Sequence, residues 1–171
     1  MGYNTDLVGK FTFVGKQPSK EQRAYLRAFN VARHMDRKED LLEDRSDPVR
    51  EAVGLPVGEM GCFFVAEPEP GYGEESVIDY NYTSATPGLW CPWTVFIDGA
   101  GVVTLEWDIQ EKPHDYVEWV QWLIDNLIAP WGLTLSGEVE WSGEDPDDRG
   151  IIRVEDNKVS VGYAKVTFEF E

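Results

Sequence analysis

The sequence lacks the features that mark membrane-spanning, secreted and disulfide-rich proteins. None of its 171 residues belongs to a run of about 18 apolar side chains, so no transmembrane helix is predicted. The first residues contain no basic stretch followed by an apolar one, so no signal peptide is expected. The two cysteines, Cys62 and Cys91, have no CxxC spacing. We therefore expect reduced thiols in a protein of the cytoplasm.

Catalytic motifs are also scarce. The two histidines, His34 and His114, are not part of a recognisable triad, and no GxSxG sequence is present. The glycines at 71 and 73 are not followed by a helical pattern, which argues against a phosphate-binding loop. We therefore expect no cofactor and consider a binding protein more consistent with the sequence than an enzyme.

Basic residues are rare after residue 50. Residues 1–50 carry 10 basic and 8 acidic side chains, whereas residues 51–171 carry 5 basic and 24 acidic ones, for a net charge of −17. Such a field repels nucleic acids and anionic membranes and attracts basic protein surfaces. Neither nucleic acid nor membrane is expected as a direct partner. Solubility alone explains the acidity about equally well.

Aromatic residues, in contrast, are abundant. Seven Trp, seven Tyr and eight Phe indicate a packed core, and 171 residues suit one domain over 1–171, with a surface excursion at 36–60 and a loop at 67–76. One helix is predicted over 113–132. Its polar residues form a narrow stripe, so the helix must be covered on more than one side: His114, Glu118, Gln121 and Asp125.

Alternating and helical patterns together predict an α+β fold, a mainly antiparallel β-sheet with two helices packed on one face. Ser19 and Gln22 form a capping box before a first helix with an arginine-rich face (Arg23, Arg27, Asn30, Arg33 and Arg37). A shared pattern around Gly9 and Gly137 indicates two strands side by side. Including these two, strands are predicted at 7–13, 62–65, 77–82, 94–97, 102–108, 133–142 and 151–154. A last strand is predicted from 159 onward, with a bulge near 163–164.

The densest acidic stretch is the first candidate site. Alternating strand residues and a turn bring six carboxylates close together, and these could face a basic partner: Glu138, Glu140, Glu144, Asp145, Asp147 and Asp148. The turn lacks the twelve-residue spacing of a calcium loop, so no metal is predicted there.

A group of aromatic and polar residues is the second candidate site. Tryptophan and tyrosine side chains in a concave site could stack on the ring of a small molecule, and neighbouring carboxylates could orient it: Asp79, Tyr80, Asn81, Trp90, Trp93 and Glu106. The alternative is that the two tryptophans pack into the open end of the core, and we favour it because large aromatic side chains are usually buried.

Four sequence motifs resemble an uncharacterised family of bacteriophage and bacterial proteins. The motifs are MGYNTD, PGLWCPW, WD-x-x-EK and PWGLTLSGEVEWSGEDPDDRG. Members of that family typically begin MGYxT and carry PGLWCQW and PWGYxLNGEVxWQGED. This chain differs at Pro92, Ser136 and Ser142. The resemblance implies a phage or prophage origin, and it brings no known activity.

The leading hypothesis is a non-enzymatic, phage-encoded inhibitor of a host nucleic-acid-directed defence system, of the anti-CRISPR or anti-restriction kind. It would act in the cytoplasm of the host bacterium, on a host protein with a basic surface. One alternative is a binder of, or an enzyme acting on, a small molecule or nucleotide signal at the aromatic residues. A second alternative is a structural or assembly protein of a virion. The sequence leaves the oligomeric state open.

Overall fold

The fold is built on one six-stranded antiparallel sheet. In this computed structural model, residues 2–42, 44–55, 74–109 and 113–171 are described. The strand order is β2-β3-β1-β4-β5-β6. The predicted α+β fold is therefore confirmed. The strands and helices are β1 Thr5–Phe13, α1 Lys20–Val31, α2 Pro48–Glu51, β2 Trp93–Ile97, β3 Val103–Trp107, α3 Tyr116–Leu123, β4 Leu135–Gly143, β5 Arg149–Glu155 and β6 Lys158–Tyr163.

Two glycines allow β1 and β4 to lie side by side at the centre of the sheet. Phe11 is paired with Gly137, and Gly9 with Val139. Both glycines have a positive φ, 121° and 144°, and a Cβ on either one would collide with a backbone carbonyl of the other strand. Only glycine tolerates both conditions. The predicted pairing of these two strands is confirmed.

Helix α1 begins as its sequence predicts. The Ser19 side chain accepts a hydrogen bond from the Gln22 amide, and the Gln22 side chain accepts one from the Ser19 amide. The buried side of the helix carries Tyr25, Leu26 and Phe29. These side chains belong to the same core as the buried residues of the sheet.

Helix α3 is shorter than predicted. It starts at Tyr116, because Asp115 takes a left-handed φ of 52°, and after Leu123 the chain continues through a π-helical turn, Ile124–Ile128. The backbone at Asp115 therefore interrupts the expected helix between Pro113 and Tyr116. The predicted exposed stripe is confirmed, since all four of its members are exposed: His114, Glu118, Gln121 and Asp125.

Two predicted features of the strands are wrong. Residues 77–82 form turns and one isolated bridge, between Val77 and Arg37, because the Asp79 carboxylate accepts a hydrogen bond from the Asn81 amide and closes a local turn. Strand β6 ends at Tyr163 without the predicted bulge. The adjacent strand β5 begins at Arg149, so residues beyond Ala164 have no further ladder on that side. The strand predicted at 62–65 lies outside the described residues.

The predicted surface excursion has buried anchors in its described parts, 36–42 and 44–55. It contains a short 3-10 helix, Glu39–Leu41, and helix α2. Leu42 is buried, and so are the charged residues Asp47 and Arg50. In the described part of the chain, no helix combines the length and the apolar character that crossing a membrane requires.

Candidate functional site

The acidic turn between β4 and β5 is fastened to the start of the chain. The Tyr3 hydroxyl donates to one carboxylate oxygen of Asp148 (2.7 Å), and the Trp141 indole N–H donates to the other (3.0 Å). The Asn4 amide donates to Glu144 (2.8 Å), and the Asp145 amide donates to the Tyr3 hydroxyl (3.1 Å). Hydrogen bonds to ionised groups are stronger than neutral ones, so Glu144 and Asp148 hold the turn in place.

The bond to Asp148 changes the chemistry of Tyr3. Its hydroxyl donates to a carboxylate, and this hydrogen bond is the main reason why the pKa of Tyr3 is raised above its usual value of 10.0. The nearby Tyr116 ring lies 5.9 Å from the Trp141 ring, and desolvation raises the Tyr116 pKa to about 12. Both phenols therefore remain neutral hydrogen-bond donors at physiological pH.

Five of the six predicted acidic residues are exposed, and three of these five carry carboxylates without a bonded partner in the described residues. Glu140, Asp145 and Asp147 are exposed, and in the described part of the chain their carboxylates accept no hydrogen bond and form no ion pair. Asp6 of β1 is paired with Ser142 of β4 and is also exposed, so it lies near Glu140 on the sheet face. We call these four carboxylates, Asp6, Glu140, Asp145 and Asp147, the acidic patch.

Glu138 differs from its neighbours because it has a cationic partner. Its carboxylate contacts Arg153 of β5 at 2.5 Å, and both side chains are about half exposed. A surface ion pair of this kind contributes at most about 1 kcal/mol. Glu138 therefore adds less negative field to the surface than Glu140 does, although the two lie on the same strand.

The second predicted site is only partly assembled. The Arg33 side chain donates to the Tyr80 carbonyl (2.9 Å) and to the Asn81 amide oxygen (3.0 Å). Its guanidinium carbon lies 4.0 Å from the centre of the Tyr80 ring and 5.6 Å from that of Trp90. The structure thus brings Tyr80, Asn81 and Trp90 together around a cation.

The other three residues of the predicted aromatic site have separate roles. Trp93 is 1% exposed, packs against Phe11 and donates its indole N–H to the Tyr116 carbonyl (2.9 Å). Glu106 accepts a hydrogen bond from the Thr104 hydroxyl (2.5 Å) on β3. Asp79 closes the local turn described above. Trp93 therefore packs in the core, Glu106 bonds within β3, and Asp79 closes a turn.

Arg33 is the member of this cluster that the sequence did not single out. The pattern placed it on an arginine-rich helix face, but α1 ends at Val31, so Arg33 and Arg37 lie beyond the helix and that part of the prediction is wrong. The predicted face is also not uniformly solvated. Asn30 is 8% exposed and donates to the Cys91 carbonyl (2.8 Å) and the Asp108 carboxylate (2.7 Å), and Arg37 is 3% exposed. These contacts join residues far apart in sequence, so helical periodicity carried no signal for them.

Burial disfavours the charged forms of two side chains, His34 and Cys91. His34 is fully buried next to Phe29, and desolvation lowers its pKa to about 3, so its ring is neutral at physiological pH. Burial likewise raises the pKa of the Cys91 thiol, which disfavours the nucleophilic thiolate. Within the described ranges, no group of three or more His, Cys, Asp or Glu side chains is arranged to hold a metal ion.

A cavity that the sequence did not predict lies beside the acidic turn between β4 and β5. It has a volume of about 450 Å³, and Trp141, Gly150, Ile151 and Tyr163 contribute to its lining. Tyr163 packs edge-on against Trp141 with ring centres 5.7 Å apart. Gly150 leaves space for the Trp141 ring, since a Cβ at that position would collide with the ring. The cavity therefore depends on the absence of a side chain at Gly150 as well as on the Trp141 and Tyr163 rings.

Compared with protein-family models, with curated proteins and with solved structures, the chain matches none of them. The motifs that carry the sequence resemblance nevertheless contact one another. The first motif binds the acidic turn of the last motif through Tyr3 and Asn4. Asn157, which lies outside the four motifs, also bonds to the backbone of Leu133 and Leu135 in the last motif. These contacts give several motif residues a role in holding the fold together, apart from any role in binding.

Proposed function

We propose that this chain is a phage-encoded, non-enzymatic binding protein that inhibits a nucleic-acid-directed defence system of its host. In this proposal the acidic patch covers a basic nucleic-acid-binding surface of a host protein, such as a CRISPR or restriction nuclease, in the host cytoplasm. The phage origin rests on the sequence resemblance, and the mode of action rests on the charges of the described surface.

The proposal rests on one observation: some of the acidic side chains are held by hydrogen bonds, and others are exposed without a partner. Glu144 and Asp148 fix the turn, while Asp6, Glu140, Asp145 and Asp147 are left exposed without a cationic partner in the described residues. Carboxylates carried on a fixed backbone lose less conformational entropy on binding than carboxylates on a mobile segment, so they attract a cationic surface more effectively.

A charge-reversal experiment tests the proposal. The test variant carries Glu140→Lys, Asp145→Lys and Asp147→Lys and leaves the two structural carboxylates intact. A matched control carries Glu39→Lys, Glu75→Lys and Glu155→Lys, three exposed residues whose reversal changes the net charge equally. Both tagged proteins, with the unmodified chain, are incubated with host lysate at low and high salt, and retained proteins are identified by mass spectrometry.

The proposal predicts a nucleic-acid-binding host protein that the unmodified chain and the control retain at low salt. The test variant should lose this protein, because like charges would then face each other. The retained protein should also lose its nucleic-acid-binding activity when the unmodified chain is added. Equal retention by the test variant and the control would contradict the role of the acidic patch.

A second candidate function is the binding of a small planar molecule beside Trp90. It is favoured by Arg33, which is held by Tyr80 and Asn81 and lies 5.6 Å from the Trp90 ring, and by the 36% exposure of Trp90. Arg33 already covers one face of Tyr80, so a ligand would stack on Trp90 and accept hydrogen bonds from the guanidinium group. Nucleotides that quench tryptophan fluorescence in the unmodified chain but not in a Trp90→Leu variant would support this function.

A further inference from the structure

Residues 164–171 have the pattern of a β-strand without being part of the sheet. Apolar side chains alternate strictly with polar ones along the sequence AKVTFEFE. All eight residues are exposed, with Phe168 at 80% and Phe170 at 93%. We call this segment the tail. Two exposed aromatic side chains on an alternating segment are typical of a strand that pairs with another chain.

Strand β6 offers the edge on which such a segment could pair. It is the last strand of the sheet order and pairs with β5 on one side. On its other side no strand is paired with it among the described residues. Val159 and Val161 of β6 are half-buried and pack against the core, so an added strand would cover them further.

We propose that two copies of this chain form a dimer in which the tail of each copy pairs antiparallel with β6 of the other. In this register Phe168 lies opposite Val161, Phe170 lies opposite Val159, and Glu171 lies opposite Lys158. Directly opposed residues of an antiparallel pair share one face of the sheet. The apolar pairs therefore extend the core face, and each copy contributes one ion pair on the other face.

The change of phase between β6 and the tail supports this arrangement. In β6 the core-facing residues are odd-numbered, Val159, Val161 and Tyr163, whereas the apolar residues of the tail are even-numbered. Within one copy the two sets cannot continue along a single strand on the same face. Between two copies, the proposed register pairs the odd-numbered set of one with the even-numbered set of the other.

The chain also leaves its own sheet at a suitable point. The Ala164 amide makes the last hydrogen bond to β5, to the Arg149 carbonyl at 2.9 Å. The change from odd-numbered to even-numbered apolar residues then falls at Ala164 and Lys165, next to the two-fold axis of the proposed dimer. The complementarity lies within one sequence, since β6 supplies the lysine and the valines, and the tail supplies the glutamate and the phenylalanines. This favours a second copy as the partner.

Sedimentation equilibrium of the full chain, from low to high micromolar concentration, tests the dimer. Lys158→Glu and Glu171→Lys should each raise the dimer dissociation constant about tenfold, since each places like charges opposite one another twice per dimer. The double variant, with the charges exchanged, should recover most of the affinity. Lys38→Glu, at an exposed residue outside the proposed interface, serves as a control for the change in net charge. A monomer at all concentrations, or charge variants without rescue, would overturn the proposal.

Cysteine cross-linking tests the register independently of affinity. A variant with Ser160→Cys and Glu169→Cys places the two thiols opposite each other across the dimer, and mild oxidation with diamide should give a covalent dimer on a non-reducing gel. A variant with Ser160→Cys and Thr167→Cys moves the second thiol to a diagonal position and should cross-link much less. Equal cross-linking of both variants, or of neither, would overturn the proposed register.

Discussion

The acidic turn and the tail lie close together, since the Ala164 amide bonds to Arg149 directly after the turn, yet they differ in how their residues are held. In the turn, two carboxylates, an indole and a phenol are joined by hydrogen bonds, and the N-terminal residues fasten the whole unit. In the tail, an equally regular pattern leaves all eight residues exposed. The comparison shows that a strand or turn pattern becomes ordered structure only where its backbone and side chains meet partners.

The largest expected effect comes from filling the space under Trp141. A Gly150→Val substitution would place side-chain atoms against the indole ring, and we expect it to lower the free energy of unfolding by about 2–4 kcal/mol. Urea denaturation followed by tryptophan fluorescence measures this change. Gly99→Ala is the control, because a Cβ there meets nothing within 4 Å, and it should change stability by less than about 0.5 kcal/mol.

The next largest effect should follow from removing the carboxylate that fastens the turn. Asp148→Ala leaves the Tyr3 hydroxyl and the Trp141 indole without their acceptor, and we expect a loss of about 1–3 kcal/mol in chemical denaturation. Asp147→Ala removes an exposed carboxylate next to it and should cost less than about 0.5 kcal/mol. Equal losses in the two variants would show that Asp148 does not fasten the turn.

A smaller effect is expected at high pH. The pKa values of Tyr3 and Tyr116 are raised in the folded protein, so the unfolded chain loses its phenolic protons first as the pH increases. The stability that these two groups contribute is fully present below pH 10 and is lost as the pH rises through their raised pKa values, with the Tyr116 contribution decreasing between pH 10 and about 12. Stability curves of the unmodified chain and of a Tyr3→Phe, Tyr116→Phe variant should therefore converge in that range. Parallel curves would contradict the assigned shifts.

The smallest effect is expected in the tail. Phe170→Ser removes an aromatic side chain that is 93% exposed, so in dilute solution, where the chain is monomeric, the free energy of unfolding should change by less than about 0.5 kcal/mol. The same substitution should weaken the proposed dimer. A loss of stability above about 1 kcal/mol in the dilute monomer would show that the tail is part of the folded core.

Much of the sheet could be predicted from local sequence patterns. The alternation of Leu7, Phe11 and Phe13 and the shared glycine pattern of β1 and β4 both depend on neighbouring residues, and the structure contains each of them. The capping box of α1 was predictable for the same reason.

The candidate sites were harder to predict, because contacts between distant segments decide them. No local pattern shows that Asp148 meets Tyr3 while Asp147 meets solvent, or that Arg33 reaches Tyr80. The same holds for Asn30, which reads as a polar helix residue yet is buried by bonds to Cys91 and Asp108. Residue type suggested the acidic and aromatic groups, and tertiary structure determined which of their members are exposed.

We expect that the acidic patch, and not acidity in general, binds a basic host surface. Its most direct test compares the Glu140→Lys, Asp145→Lys, Asp147→Lys variant with the equally charged Glu39→Lys, Glu75→Lys, Glu155→Lys control in capture from host lysate. We predict that the control still retains a salt-sensitive nucleic-acid-binding protein and that the patch variant does not. Loss of that protein in both variants, or in neither, would contradict a role of the acidic patch in binding.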